Sequence, residues 1–399
     1  MRVAFVVSNL TYPPDSGLHQ QALLTAQIQL SRGEEIHLLG FCRDPGKLDL
    51  DRMMKETGLR FHAPPITSHL PSVVLGLINR FVPTVLRSRA VRNLQATLSH
   101  DYDIVHLDNI AACGLVRRGT SGRAILGLID PGTLRWRRMA GTARSSLLKV
   151  KARLAIGMCD LLEKAIAFPG VRMQLVSYKD ANYLQDRLPQ VRVVAIPVAI
   201  PMNIGRIPDV ETDRRSRRVG VVFMDLKEAY LRDSFLWFIS SVYRPLIARG
   251  CCFDLLVLGR ISEDFELEKL CQDLPVTLLD RVDDYLALLA SADFIIIPDL
   301  TGTGLKNRVI QGMALGRPVV GTPTAFEGIP ALNGVHALIA STADEMITGL
   351  ITLCDRPELR KSLGKKAQEL VNEEYGIELA KNRWRDLYNS VTGATEPSN

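Results

Sequence analysis

Short apolar runs rich in β-branched residues alternate with longer amphipathic stretches along most of the chain. Runs that are apolar at nearly every position are typical of parallel strands covered by helices on both faces. The pattern predicts strands in the first half at 3–7, 36–39, 104–107, 124–129, 174–177 and 191–196. It predicts strands in the second half at 219–223, 253–258, 276–279, 294–297, 318–321 and 337–340. Two such sets indicate an α/β protein with two Rossmann-like domains in tandem.

A segment of proline, glycine and dense charge separates the two sets of strands, between Pro197 and Arg218. Because such residues cannot supply a core, the segment is predicted to be a linker. After the last strand, leucines at helical spacing predict helices over 356–374 and 377–391. We therefore predict an N-terminal domain over 1–200, a linker over 201–218 and a C-terminal domain over 219–375. Residues 376–399 are predicted to form a helix that packs back on the N-terminal domain, followed by a tail.

One long stretch, 143–168, has the spacing of an amphipathic helix. Its apolar face is formed by Leu147, Val150, Leu154, Met158, Leu161 and Ala165. The ordinary interpretation is a surface helix that packs through this face and keeps a basic side in water. The alternative is a helix attracted to anionic lipid, because clustered Lys and Arg gain about 1 kcal/mol each near such a surface.

Charge is spread unevenly along the chain. The 49 Lys and Arg residues exceed the 43 Asp and Glu residues by only six, which leaves room for an anionic partner without requiring nucleic acid. The run from Arg135 to Arg153 contains seven basic residues and no acidic one, and the run from Arg80 to Arg92 also lacks acids. These two runs are the predicted contacts with an anionic membrane surface.

The cysteines, the N-terminal sequence and the length of the apolar runs bear on the cellular compartment. Seven scattered cysteines without a C-x-x-C pair or zinc spacing favour a reducing compartment. The N-terminus is predicted to be a strand and not a signal peptide, and no apolar run approaches the ~20 residues of a transmembrane helix. We expect a cytoplasmic protein that is peripheral at the inner face of the cell membrane if its basic runs bind lipid.

Two loops follow predicted strands at the edge where open parallel sheets bind ligands. The first spans 9–19, contains Gly17 and leads into a helix near Leu18. The second contains Gly302 and Gly304 and leads into a helix with Lys306 and Arg308 in its first turns. Backbone N–H groups at a helix start, small residues and nearby cations suit a diphosphate. A dinucleotide fingerprint would need a third glycine at residue 307, which is Asn, so a nicotinamide enzyme is disfavoured.

The segment from Asp293 to Gly328 resembles the donor-binding segment of family 4 glycosyltransferases. The similarity lies in the Gly302-Thr-Gly-Leu-Lys306 loop, the Met313-Ala-Leu-Gly-Arg-Pro-Val-Val320 turn and Glu327-Gly328. Tyr12-Pro-Pro-Asp-Ser-Gly17 is similar to the first acceptor-side loop of the same family. The resemblance is specific in the second domain and looser in the first, where it is nearest to bacterial surface-polysaccharide transferases.

The resemblance implies the GT-B fold, in which two Rossmann-like domains face each other across a cleft and are followed by C-terminal helices. It implies transfer of a sugar from a UDP-, GDP- or dTDP-linked donor to a glycan or lipid-linked acceptor, with retention at the anomeric carbon. No cofactor and no metal ion would be required. Charge on the leaving diphosphate would be neutralised by cationic side chains and a helix N-terminus.

Several positions take donor-binding roles by this resemblance. The candidates for the donor site are Gly17, Lys227, Gly259, Arg260, Arg281, Val282, Thr303, Gly304, Leu305, Lys306 and Gln311. Arg260 would line the nucleotide, Arg281 and Val282 would border the base, and Gln311 would face the ribose. The candidate catalytic residues are His106, Lys306 and Asp15, with His106 either a general base or a structural histidine at the end of a buried strand.

Two positions depart from the family pattern. Family members carry two glutamates with seven residues between them, where this chain has Thr303 and Gln311. Glutamine still bonds a ribose hydroxyl but gives up the charge-assisted hydrogen bond. Two alternatives therefore stay open: a degenerate, non-catalytic GT-B protein that binds glycan or a partner enzyme, and a GT-B sugar-nucleotide epimerase or phosphorylase.

Overall fold

The computed structural model describes residues 1–14, 17–83, 88–100, 102–142, 146–200, 217–251, 253–261, 265–280, 282, 284–302 and 304–393. Contacts divide the chain into two compact units. Unit 1 comprises Met1–Ala199 together with Glu378–Asn399, and unit 2 comprises Ile200–Ile377. Of the predicted linker 201–218, only Arg217 and Arg218 are described, and Arg218 is already the first residue of a strand.

Unit 1 is built on a seven-stranded parallel sheet with the order β3-β2-β1-β4-β5-β6-β7. Its strands are β1 (Arg2–Ser8), β2 (Glu35–Cys42), β3 (Ile66–Thr67), β4 (Ile104–Asp108), β5 (Ala124–Gly127), β6 (Arg172–Leu175) and β7 (Arg192–Ala195). The prediction of an all-parallel sheet is confirmed, and β3 is an addition to it. A strand of two residues at the edge of a sheet leaves no periodicity that a sequence could display.

Helices connect consecutive strands of this sheet, as in doubly wound α/β domains. They are α1 (Gly17–Ser31), α2 (Leu50–Thr57), α3 (Ser72–Phe81), α4 (Arg89–His100), α5 (Asn109–Cys113), α6 (Gly132–Thr142), α7 (Ser146–Ile166) and α8 (Tyr178–Arg187). Central strand β1 is solvent-inaccessible over most of its length, as its continuous apolar sequence requires.

Unit 2 is built on a six-stranded parallel sheet with the order β10-β9-β8-β11-β12-β13. Its strands are β8 (Arg218–Phe223), β9 (Phe253–Leu258), β10 (Val276–Leu279), β11 (Phe294–Ile297), β12 (Val319–Gly321) and β13 (Leu338–Ile339). Its helices are α9 (Ala229–Phe238), α10 (Arg244–Ala248), α11 (Phe265–Cys271), α12 (Tyr285–Ala290), α13 (Asn307–Ala314), α14 (Ala343–Asp355) and α15 (Pro357–Tyr375). Two Rossmann-like sheets, as predicted, therefore organise the chain.

The last helix, α16 (Ile377–Thr392), lies almost entirely in unit 1 although it follows unit 2 in the sequence. Trp384 and Tyr388 are buried on it. The Trp384 ring lies 5.1 Å from the ring of His106 in β4, measured between centroids. The guanidinium group of Arg32 lies 5.7 Å from the centre of the Tyr388 ring. An aromatic helix face thus completes the core of unit 1.

The packing of α7 differs from the ordinary interpretation of its sequence. The predicted apolar face is not the packed one: Leu147 and Leu154 are 79% and 67% exposed. The helix is buried instead through Ala152, Cys159, Leu162 and Ile166, none of which exceeds 3% exposure. The helix carries two apolar faces, and the sequence pattern alone did not say which one the protein covers. Among the described helices, none combines the length and apolar character needed to cross a bilayer.

Candidate functional site

The carboxyl ends of β8 and β9 in unit 2 approach each other closely at Gly259. The φ angle of Gly259 is +144°, and a β-carbon there would lie 2.0 Å from the carbonyl oxygen of Met224. The Met224 N–H in turn donates a hydrogen bond of 2.9 Å to the carbonyl oxygen of Leu258. Only glycine fits such a close approach of two backbones. Gly259, a predicted donor-site residue, therefore shapes this edge through its lack of a side chain.

Arg260 follows Gly259 and pairs with a carboxylate from the neighbouring strand end. Its Nε donates a hydrogen bond of 2.9 Å to Asp225 Oδ2. The pair is partly solvated, with 49% of the Arg260 side chain exposed, so its attraction is weak and an anionic ligand could compete for the guanidinium group. Lys227, two residues after Asp225, is exposed at the same edge.

A buried ion pair fixes the start of α13 against the end of β11. The Asp299 side chain is fully buried and accepts a hydrogen bond from Arg308. The backbone carbonyl oxygen of Asp299 also accepts a hydrogen bond from the Thr322 hydroxyl. Arg308, which the sequence placed near a bound diphosphate, is therefore held by the protein itself.

Lys306 lies at the N-cap of α13, one residue before the helix begins, and folds back over the glycine loop. Its Nζ donates a hydrogen bond of 2.9 Å to the carbonyl oxygen of Gly304. A β-carbon on Gly302 would lie 3.4 Å from the same Nζ, so glycine at that position leaves room for the ammonium group. The ammonium group and the backbone N–H groups at the start of α13 supply positive charge to one place.

Gln311 is oriented by an aromatic residue that the sequence analysis did not single out. Its Nε2 donates a hydrogen bond of 3.1 Å to the hydroxyl of Tyr285 in α12. The Tyr285 ring packs at a tilt against Phe223, with ring centroids 5.5 Å apart. A neutral amide at this position thus has a definite partner, which fixes its orientation.

Sequence reasoning also missed two polar residues around the glycine loop. Asp299 lies two residues after the buried strand β11, a position that could have marked it. Tyr230, near the start of α9, would lie 3.8 Å from a β-carbon on Gly302, and burial raises the pKa of its hydroxyl. No spacing rule connects Tyr230 with a loop seventy positions away, so only the fold brings the two together.

The other predicted donor-site residues fall into two groups. Val282 and Leu305 are half-buried at the same edge of unit 2, and Gly304 has a φ angle of +72° that favours glycine. Arg281 and Thr303 lie outside the described residues. The predicted donor-site residues that are described in unit 2 and carry side chains lie on loops or on a helix that follow strands of one sheet. They are Lys227, Arg260, Val282, Leu305, Lys306 and Gln311.

The first-domain loop is described only in part. Gly17 is the first residue of α1, which agrees with the predicted helix start. Asp15 lies outside the described residues. His19 is largely buried, and its Nδ1 lies 3.0 Å from the hydroxyl oxygen of Thr11.

The structure contradicts the prediction that His106 is a catalytic residue. Its ring is fully buried under α16, and its Nδ1 lies 2.9 Å from the hydroxyl of Tyr388. Burial lowers the pKa of His106 to about 3. A histidine that is closed off from solvent and held neutral serves as packing between β4 and α16. Two positions further, burial raises the pKa of Asp108 to about 7.

Two parallel Rossmann-like sheets, followed by C-terminal helices, are the architecture of the GT-B class of proteins. Residues 221–356 match the sequence model of the family described as "Glycosyl transferases group 1". The matched residues include the whole of the edge described above. The similarity to group 1 glycosyltransferases lies in this segment of unit 2.

Other proteins are similar over shorter or longer parts of the chain. A trehalose synthase of Pyrococcus horikoshii is 26% identical over 168 residues, which are 39% of this chain and 40% of that protein. The chain thus matches less than half the length of this curated relative. Sucrose-phosphate synthase from Thermosynechococcus elongatus has a TM-score of 0.73 at 14% identity, covering 99% of this chain and 100% of that one. HepE from Anabaena, solved in complex with UDP and glucose, has a TM-score of 0.63 at 13% identity, covering 98% and 100%.

Proposed function

We propose that this protein transfers a sugar from a nucleotide-sugar donor to a glycan or lipid-linked acceptor. The observation that carries the proposal is the ammonium group of Lys306, which lies beside Gly302 and Gly304 at the start of α13. Positive charge at a helix start beside small residues suits a nucleoside diphosphate. The family match over 221–356 supports the same assignment.

In the proposed reaction an acceptor hydroxyl oxygen forms a bond to the anomeric carbon, on the face from which the diphosphate leaves, as the bond between that carbon and the diphosphate breaks. Negative charge develops on the leaving phosphate, which takes up the proton of the acceptor hydroxyl. Lys306 and the N–H groups of α13 stabilise this charge, which is an electrostatic form of catalysis. Arg260 would leave Asp225 to add a second cation, because their exposed pair is weak. Arg308 stays with Asp299 and orients the loop. Retention of configuration and independence from metal ions are part of the proposal.

The donor and acceptor are proposed by chemical class. UDP-, GDP- and dTDP-linked sugars are the candidate donors, with UDP-glucose tested first because HepE was solved with UDP and glucose. A lipid-linked or surface glycan is the candidate acceptor, on the cytoplasmic side of the cell membrane.

The decisive experiment measures the thermal unfolding midpoint with a panel of these donors and then assays turnover with the donors that bind. We expect at least one nucleotide sugar to raise the midpoint, since a ligand that binds only the folded state stabilises it. Release of the nucleoside diphosphate in the presence of an acceptor would follow. If none of the three donor classes shifts the midpoint, the transferase proposal is wrong.

The neutral Gln311, held by Tyr285, favours one competing function: a GT-B protein that binds a nucleotide sugar or glycan without turning it over. Gln311→Glu separates the two. A gain in donor affinity or turnover identifies a site weakened by loss of the carboxylate. Loss of activity identifies the glutamine as a specific adaptation of a working enzyme. Donor binding without turnover in both proteins supports the non-catalytic function.

A further inference from the structure

A stripe of large apolar side chains on α7 faces solvent. Leu147, Val150, Leu154 and Leu161 are 79%, 53%, 67% and 53% exposed. Their spacing of three, four and seven positions puts them on one side of a helix, so they form a continuous strip. We name these four residues the α7 stripe. Single exposed leucines are common on protein surfaces, but a line of them along one helix is not.

A different side of α7 is the one that unit 1 covers. Ala152, Cys159, Leu162 and Ile166 are buried there, about a third of a turn around the helix from the α7 stripe. The helix therefore has its tertiary packing already, and the stripe is a second, additional apolar face. Its exposure does not result from a helix that failed to pack.

Cations flank the α7 stripe. Lys149, Lys151 and Arg153 are exposed on the same helix. On the neighbouring α6, Arg135 is 47% exposed at its side chain and Arg137 is also exposed. An apolar strip bordered by lysine and arginine is the pattern of helices that lie in the headgroup region of an anionic bilayer.

The acidic residues of α7 already have hydrogen-bond partners within unit 1. Asp160 accepts a hydrogen bond of 2.7 Å from Lys164 and a second one from Arg187. Glu163 is 1% exposed at its side chain and accepts a hydrogen bond of 2.8 Å from the Thr133 hydroxyl. The exposed half of the helix thus presents net positive charge.

The helix is also firmly anchored in unit 1. Glu163 joins α7 to α6 through Thr133. Arg80, at the end of α3, donates from Nε to the carbonyl oxygen of Ala165 over 2.8 Å and lies 4.6 Å from the centre of the Phe168 ring. Arg80, the first residue of the basic run 80–92, therefore helps to hold α7 in place.

We propose that α7 docks unit 1 on an anionic lipid bilayer, with the α7 stripe inserted among the acyl chains near the headgroups and the flanking cations at the phosphates. A second copy of the chain fits this face poorly. A two-fold interface would bring Lys149, Lys151 and Arg153 of both copies together, and like charges repel. This binding surface is independent of sugar transfer and of the donor site in unit 2.

Sedimentation of the full chain with vesicles tests the proposal. We expect the protein to bind vesicles that mix phosphatidylglycerol with phosphatidylcholine, to bind pure phosphatidylcholine much more weakly, and to be released in part by salt. Each exposed cation contributes about fivefold to partitioning and each inserted leucine about tenfold. No preference for phosphatidylglycerol, or no vesicle binding at all, would overturn the proposal.

Substitutions locate the binding surface. The double variant Leu147→Ser and Leu154→Ser should bind phosphatidylglycerol vesicles about a hundredfold more weakly. Leu332→Ser is the matched control, since Leu332 is 61% exposed in unit 2. The double variant Lys149→Glu and Lys151→Glu should also lose binding, whereas Lys365→Glu, at a side chain 79% exposed in unit 2, should not. Equal loss in the control variants would refute the assignment to α7.

Three further measurements distinguish a loss of vesicle binding from unfolding, from loss of nucleotide binding and from a change in oligomeric state. Thermal unfolding of each variant shows whether it still folds, and nucleotide-induced stabilisation shows whether unit 2 still binds its ligand. Gel filtration at rising protein concentration shows the oligomeric state. A dimer that becomes a monomer on replacement of Leu147 and Leu154 would assign the face to a second copy and overturn the bilayer proposal.

Discussion

Lys306 combines two properties that distinguish it from the other basic side chains of unit 2. It is only 8% exposed, and its ammonium group lies over a loop of glycines at a helix start. We expect Lys306→Met to weaken the binding of UDP by about tenfold to a hundredfold, because a hydrogen bond to a charged group is worth about 1.5–3 kcal/mol. Titration calorimetry with UDP measures the change.

Uridine without phosphates provides the control for this measurement. Its affinity should be the same for Lys306→Met and the unchanged protein, since Lys306 is proposed to meet the diphosphate. Lys365→Met, at an exposed position, should leave both affinities intact. Equal weakening of uridine and UDP would show that Lys306 shapes the loop and does not contact phosphate.

The ion pair of Asp299 and Arg308 yields a prediction about stability. Asp299→Asn leaves the mostly buried guanidinium group without its counter-charge, and we expect the free energy of unfolding of unit 2 to fall by about 3–5 kcal/mol. The double variant Asp299→Asn and Arg308→Met should recover most of that loss, because it removes both charges. Urea denaturation of the three proteins forms the test, and additive losses would contradict the prediction.

His106 links the stability of unit 1 to pH. Its pKa is about 3 in the folded protein against an ordinary value of 6.5, so the unfolded chain binds more protons between these values. The free energy of unfolding should therefore fall as the pH is lowered through this range, by up to about 1.4 kcal/mol per pH unit from this residue. Asp108, with its pKa raised to about 7, acts in the opposite direction and loses its contribution as the pH rises.

His106→Gln isolates the histidine from these other groups. Its free energy of unfolding should fall less steeply than that of the unchanged protein below pH 6.5, since glutamine does not titrate. Leu332→Gln, at an exposed position in unit 2, should keep the original slope. Parallel profiles for His106→Gln and the unchanged protein would refute the linkage.

The sequence was a partial guide to the site at the scale of residues. Gly302, Gly304 and Lys306 could be found because they are adjacent in the chain and follow a buried strand. Tyr230 and Tyr285 could not be assigned, because their roles depend on Gly302 and Gln311 meeting them in the fold. His106 was assigned wrongly for the same reason: the helix that covers it lies 282 positions away in the chain.

At the scale of elements, α16 supplies a prediction of its own. Trp384 on α16 is 2% exposed, and its ring lies against that of His106 in β4. Trp384→Ala should lower the free energy of unfolding of unit 1 by about 3–5 kcal/mol, the usual range for a large buried aromatic side chain. Trp237→Ala, which removes a half-buried ring in unit 2, should have a smaller effect. Denaturation monitored by circular dichroism compares the two, and equal losses would contradict the assigned packing.

The strands and helices themselves followed closely from the sequence. Strand β11 begins and ends where its apolar run does, because a strand covered on both faces is apolar throughout. The orientation of α7 did not follow. Its sequence has one face of leucines and another of alanine, cysteine and leucine, and periodicity identifies faces without showing what covers them.

At the scale of the whole molecule, unit 2 is one continuous segment and unit 1 is assembled from two. A fragment of residues 200–377 should therefore unfold cooperatively by itself. A fragment of residues 1–199 should lack a cooperative transition until a peptide of residues 378–393 is added. Thermal melts with and without the peptide provide the test. A cooperative melt of residues 1–199 alone would show that α16 is an accessory to unit 1.

The late position of α16 in the sequence has a consequence for synthesis on the ribosome. Residues 378–393 emerge only after the whole of unit 2 has been made. Unit 1 therefore cannot be completed before unit 2 has been made, because its aromatic cover over His106 follows unit 2 in the chain. A nascent chain stalled after residue 377 would carry a complete donor-site unit beside an unfinished partner. Chaperones that recognise exposed apolar surface should bind such chains through β4 and its neighbours.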